Sequence, residues 1–295
     1  MNQTSPAGGF ARFGPAGNCD DFAAAGYKST AQMPAFLASF GLTAYEYQCG
    51  RGVRLSDATA EALRTGASEH GIRLSLHAPY FISLASAEAE KRDNSIRYIL
   101  DSAEAVTRLG GDRIVVHPGG LGGRSRAEAT EIACDTLRRA QERLDEEGFS
   151  QVHICPETMG KINQLGDLDE VLRFCGVDER FLPCVDFGHL NSRTHGGMNT
   201  REDFAALLDR LSDALGQERA RQFHAHFSKI EFTAGGEKRH LTFEDTVFGP
   251  EPEPLMRLIA ERGLTPTVIC ESDGTQTRDA ATMQSLYASY KEETT

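Results

Sequence analysis

The sequence predicts a single α/β domain, residues 1–295, folded as a (β/α)8 or TIM barrel. Three observations predict it. Short, apolar, β-rich segments alternate with longer helical ones. Eight such segments follow one another, mostly about 30–45 residues apart. No Ser/Gly/Pro-rich linker interrupts the alternation, so no second domain is marked off. A doubly wound open sheet is the alternative. No Gly-x-Gly-x-x-Gly follows the first strand, which leaves the dinucleotide-binding variety without support.

In chain order, the predicted strands are Gly9–Phe13, Ala44–Gln48, Arg73–His77, Arg113–His117, Val152–Glu157, Leu182–Asp186, Gln222–Phe227 and Thr267–Glu271. The first is the weakest, flanked by Gly8-Gly9 and by Gly14-Pro-Ala-Gly17, which read as turns. Among the helical segments Glu128–Glu147 is the clearest: Ala129, Ile132, Ala133, Leu137, Ala140 and Leu144 recur at helical spacing. Ser125 with Glu128 forms a capping-box signal at its start, and Gly148 follows its end. Gly41, Gly71, Gly110, Gly176 and Gly263 each fall a few residues before the next strand. From Lys229 to about Pro254 neither a strand nor a core helix is evident, and a connection of that length reads as a functional lid.

Composition narrows the class. No run of about 18 apolar residues offers a membrane span, and Met1–Gly17 lacks the basic start and apolar core of a signal peptide, so the expected location is the cytoplasm. Seven scattered cysteines without a Cys-x-x-Cys pair imply reduced thiols. The formal charge of −12 argues against broad nonspecific affinity for nucleic acid. A polyanionic partner would have to be met by a local basic patch or by metal ions.

Chemistry in a closed α/β barrel sits at the carboxyl ends of the strands. There the predicted strands carry His77, His117, Glu157, Asp186, the pair His224 and His226, and Glu271, with His189 one turn beyond Asp186 and His240 in the long connection. Carboxylates converging on the barrel axis repel one another and lose solvation, and divalent cations resolve that conflict. Mixed His and carboxylate donors suit Zn2+, with Mn2+ or Fe2+ as alternatives. His224 and His226 share a face of their strand, because strand side chains alternate with period two; only one need be a ligand. His70, His153 and His195 do not fit the set.

These residues carry a resemblance. The motifs His77-Ala-Pro-Tyr80-Phe-Ile-Ser-Leu84, Val116-His117-Pro118-Gly119, Pro156-Glu157-Thr158, Asp186-Phe-Gly-His189-Leu190, His224-Ala-His-Phe-Ser-Lys229 and Glu271 resemble, in that order, the endonuclease IV family of apurinic/apyrimidinic endonucleases, within the xylose-isomerase-like barrels. The resemblance implies a trinuclear zinc site: His77, His117 and Glu157 for one ion, Glu157 with Asp186, His224 and Glu271 for a second, His189 and His240 for the third. His224 is taken over His226 because Ser228-Lys229 then falls at the family's distance after the strand histidine. The family's third site also uses an Asp two residues before the loop histidine, where this chain has Lys238, so either Glu237 swings in or the third metal is weak or absent.

The implied chemistry is metal-assisted hydrolysis of damaged double-stranded DNA 5′ to an abasic nucleotide, a DNA-repair reaction, with Glu157 and Glu271 as catalytic carboxylates. Tyr80, Arg51, Lys229, Lys238 and Arg239 would bind substrate, and Arg54, Lys161 and Arg193 would extend the phosphate patch. No membrane and no obligate protein partner are implied. The subset Glu157, Asp186, His224 and Glu271 also resembles the single-metal site of sugar isomerases and epimerases of the same superfamily, for which the substrate would be a small sugar.

Overall fold

The structure, a computed structural model, describes residues 9–293. Eight parallel strands form two sheets of four. One holds β2 (Ala44–Gln48), β3 (Arg73–His77), β4 (Arg113–Val116) and β5 (His153–Pro156) in that order. The other runs β1 (Arg12–Pro15), β10 (Thr267–Cys270), β7 (His224–Phe227), β6 (Cys184–Asp186). Single parallel bridges, Ala16 with Glu46 and Glu157 with Cys184, join the sheet edges into a ring. Helices cover the outside. The helix Arg126–Glu146 has the predicted Ser125/Glu128 capping box and buries the predicted stripe of Ala129, Ala133, Leu137, Ala140 and Leu144, turning its charged residues to solvent.

Two sequence expectations are corrected here. The first strand is Arg12–Pro15 rather than Gly9–Phe13, so Gly14 and Pro15 are strand residues and not a turn. Gly14 is required there because a Cβ would lie 1.7 Å from the Ala44 carbonyl oxygen, where the first two strands approach each other. Residue 8 and those before it, together with 294–295, lie outside the described residues.

The long connection is not structureless. It starts with an antiparallel hairpin, β8 (Lys229–Thr233) and β9 (Gly236–Leu241), turning at Ala234-Gly235. Polar residues mask it in the sequence because it stands at the mouth of the barrel, where neither face is a hydrocarbon core. Its register contains a bulge: Phe232 faces Glu237 and Glu231 faces Arg239, so Lys238 is the extra residue.

Among the described residues, no helix is long and apolar enough to cross a membrane. All seven cysteines are free and buried.

Candidate metal centre

The strand-end residues singled out from the sequence, His224 excepted, lie at one mouth of the barrel. His77 closes β3, His117 and Glu157 follow β4 and β5, Asp186 closes β6, and Glu271 follows β10. Asp186 also caps the short helix Phe187–Arg193, accepting the backbone N–H of His189 at 2.7 Å, which swings that imidazole back over the mouth. The hairpin then folds His240 and Glu237 down from above.

Three groups of donor atoms form around Glu157. His77 and His117 hold their Nε2 atoms 3.4 and 2.9 Å from Glu157 Oε2 and only 3.2 Å from each other. Glu157 Oε1 lies 3.1 Å from His226 Nδ1, which is 3.4 Å from Glu271 Oε2, and Asp186 completes that group. The third is His189, Glu237 and His240, with His189 Nε2 3.5 Å from Glu237 Oε2.

Within this arrangement His226, not His224, joins Glu157, Asp186 and Glu271. The reason is depth. His226 stands level with Asp186 at the strand tip, whereas His224 stands level with Cys184, two residues and roughly 6.6 Å further down the barrel. There His224 Nε2 meets Glu46 Oε2 at 2.9 Å, and burial pushes its pKa down to about 4. Shared facing, correctly inferred from the period of two, does not mean shared layer.

Glu237 turns in to the third group, one of the alternatives left open by the sequence. In a regular strand residues 237 and 240 would face opposite sides, but the bulge at Lys238 returns them to the same side. Glu237 points to His189, while Lys238 Nζ turns to Glu231 at 2.5 Å.

The donor set fits divalent cations. Glu157 Oε2 and Asp186 Oδ2 are buried without a hydrogen-bond partner, which is costly unless a cation faces them. Three histidines each tie one ring nitrogen to a neighbour and free the other for the centre. His77 Nδ1 is 2.8 Å from the Ala78 carbonyl, His189 Nδ1 is 2.9 Å from that of Thr158, and His240 Nδ1 is 2.8 Å from Ser228 Oγ. Charges are unevenly tuned. Burial raises the Asp186 carboxyl to about 6; burial also acts to raise Glu271, but His226 overcomes it and holds that carboxyl at about 2.

Above the centre is a cavity of about 330 Å3 lined by His77, Tyr80, His117, Lys161, Glu237 and Glu271, among others. A second lobe of about 460 Å3 shares Tyr80, Glu237, His240 and Glu271 with it and adds Gln48, Lys238 and Arg239. Tyr80 is 55% exposed at the rim, its ring 5.1 and 5.2 Å from those of His77 and His117.

Other basic residues are placed differently from expectation. Lys229 is buried, its Nζ donating to the Asp245 carbonyl and Glu251 Oε1, both at 2.6 Å, so it fastens the loop after the hairpin instead of facing a ligand. Arg193 spends its guanidinium on the carbonyls of Met159 and Lys161. Arg51 and Arg54 are exposed beyond β2, outside both lobes.

Glu46 was missed by sequence reasoning. It is a fully buried carboxylate in the middle of β2, beneath the centre. The available signal was an acid between Tyr45 and Tyr47 in a barrel strand, on the same face as Ala44 and Gln48.

The family model described as Xylose isomerase-like TIM barrel matches residues 34–290. The endonuclease 4 of Thermus thermophilus is 30% identical over 210 residues, covering 69% of this chain and 73% of the relative. The chain belongs to the endonuclease IV family of xylose isomerase-like TIM barrels. An uncharacterised protein of Methanocaldococcus jannaschii is 34% identical over 238 residues, 80% of this chain and 84% of that one. Among solved structures, an endonuclease IV from Thermus thermophilus superposes with a TM-score of 0.66 at 23% identity, covering 96% of this chain and 99% of that one. A D-tagatose 3-epimerase-like protein superposes at 0.64 with 21% identity, covering 86% and 90%. The barrel is thus common to an endonuclease IV and to an epimerase-like protein.

Proposed function

We propose that this member of the endonuclease IV family is a metal-dependent phosphodiesterase that cuts the DNA backbone 5′ to abasic sites. The observation that carries the reading is the number of donor groups. Besides the set Glu157, Asp186, His226 and Glu271, the mouth holds His77 with His117 and His189 with Glu237 and His240, enough for two or three ions, for which Zn2+ suits the donors. Such ions polarise a phosphoryl oxygen, lower the pKa of water and offset charge on the leaving oxygen.

The chain's own residues supply the rest. Glu271, ionised and lining both lobes, orients the attacking water as hydrogen-bond acceptor, with Glu157 buried behind it. Tyr80 offers an exposed ring at the rim against which a base or the gap beside an abasic sugar can stack. Lys161 at the first lobe, Lys238 and Arg239 at the second, where they share Glu231 and would have to turn from it, and Arg51 further out are the cations that would meet the phosphates.

The direct test is incision of a duplex carrying one abasic analogue by metal-loaded protein. Cleavage 5′ to the lesion, well above a Glu157→Gln control, is expected; equal rates would overturn the reading. The four-residue set Glu157, Asp186, His226 and Glu271 alone would also serve a sugar epimerase, where paired carboxylates move protons beside one ion. About one tightly held ion per chain, instead of two or three, would favour that second reading. The third donor group makes a separate prediction: Glu237→Gln lowers the bound metal by one ion per chain and Lys238→Ala leaves it unchanged, in metal analysis of proteins purified in parallel.

A further inference from the structure

The geometry points to Glu46 as a positioning residue for the metal centre: we propose that it accepts the Nε2–H of His226 and so fixes the tautomer that turns the Nδ1 lone pair to the ions. This rests on His226 being a ligand, as the functional reading above takes it to be.

Three side chains hydrogen-bond to this carboxylate, and a fourth nitrogen, the otherwise unpartnered His226 Nε2, stands close to it. Gln48 Nε2 and His226 Nε2 lie 3.2 and 3.0 Å from Oε1, and Ser75 Oγ and His224 Nε2 lie 3.0 and 2.9 Å from Oε2. A carboxylate has about four acceptor positions; three are taken, and the remaining one faces His226 Nε2 at 3.0 Å, which leaves none for a cation of its own. It is therefore not a ligand. Its partners act in the opposite direction, since each must present a hydrogen to it.

For His226 that demand is decisive. Nδ1 faces Glu157 Oε1 at 3.1 Å and Glu271 Oε2 at 3.4 Å. Nε2 has Glu46 as its carboxylate neighbour at 3.0 Å, on the side of the deeper group that also holds Cys184 and His224. A neutral imidazole carries one N–H. With the hydrogen on Nε2, Nδ1 is left as the donor atom. His77, His189 and His240 follow the same plan with a carbonyl or hydroxyl as the outer partner; for His226, in the deepest position, the partner is a charged carboxylate, which also raises the basicity of the ligating nitrogen.

The first measurement uses the wild-type chain. In zinc-loaded protein with 15N-labelled histidine, long-range 1H–15N spectra, with the His226 signal assigned by its loss in His226→Asn, are expected to show Nε2 protonated and Nδ1 metal-shifted. A protonated Nδ1, or an Nε2 bound to metal within the Cys184, His224 and His226 group, would overturn the inference. The second uses Glu46→Gln, which keeps the shape and removes the charge. Zinc affinity by chelator competition is expected to fall about 10–100-fold at one site, while His224→Gln, which removes a different partner of Glu46, changes it much less. Melting of the metal-free variants separates mere damage to the barrel from loss of positioning. Equal zinc affinity in Glu46→Gln and wild type would also overturn it. Neither readout uses DNA, so the inference fails or stands separately from the nuclease reading.

Discussion

Replacing Glu157 by Gln is expected to lower incision at an abasic site by about a thousandfold and to strip metal from more than one position. The size follows from the location. Its two oxygens lie 2.9–3.4 Å from nitrogens of four histidines, His77 and His117 on one side, His189 and His226 on the other. An amide turns one of those oxygens into a donor facing groups that have no acceptor to spare, and it deletes the charge the neighbouring ions would share. Metal charge stabilisation is worth several kilocalories per mole in the transition state, and about 1.4 kcal/mol is a factor of ten, hence about three decades. Incision rate and metal analysis on the same preparation check it. Full metal content with unchanged rate would place the chemistry elsewhere.

Chelation is expected to lower the melting temperature by about 10 °C at neutral pH. A ligand held at a thousand times its Kd contributes about 4 kcal/mol of stability, and each kilocalorie moves the midpoint of a chain this size by about 2–4 °C. The effect must shrink in acid, and its sign can be worked out. Binding requires an ionised Asp186 and neutral ring nitrogens facing the ions. Burial raises Asp186 to about 6; burial acts to lower His77, His189 and His226, but nearby carboxylates, and for His226 first Cys184, raise them above their ordinary values. All four groups therefore hold protons that compete with metal as pH falls. Melting with and without excess zinc at pH 7.5 and pH 5.5 should show the larger metal-dependent gap at pH 7.5.

Of the eight residues read from the sequence as ligands, seven stand at the mouth, although Asp186 and Glu271 meet His226 there instead of His224; each of His77, His117, Glu157, Asp186 and Glu271 ends an apolar run and His189 follows shortly after Asp186. His240 was legible as a residue but not through its partner. A bulge depends on hairpin register, so Glu237 could not be preferred to Lys238 from spacing alone. The choice between His224 and His226 failed for a different reason: alternation fixes a face, and only the stagger of neighbouring strands fixes a layer. Glu46 was hidden because its partners, His224, His226 and Ser75, come from other strands, and no local pattern marks a carboxylate that is satisfied across the barrel. The strand ring itself was read nearly as it is, since alternation of apolar and helical segments is a long-range signal that survives an error of three residues in the first strand.

The two single bridges that complete the ring fall at Glu46 and at Glu157. One four-stranded half supplies His77, His117 and Glu157, and the other supplies Asp186, His226 and Glu271. Ions bound between them would act as rivets across the weakest lines of the backbone ladder, with Glu157 and Glu46 each reaching over a joint to a histidine of the opposite half. Mechanical integrity and reactivity would then depend on the same atoms. Amide hydrogens along both joints, such as those of Gly17 and Thr158, which donate across to Glu46 and Cys184, would exchange faster once the rivets are withdrawn, while those deep within each half keep their pace.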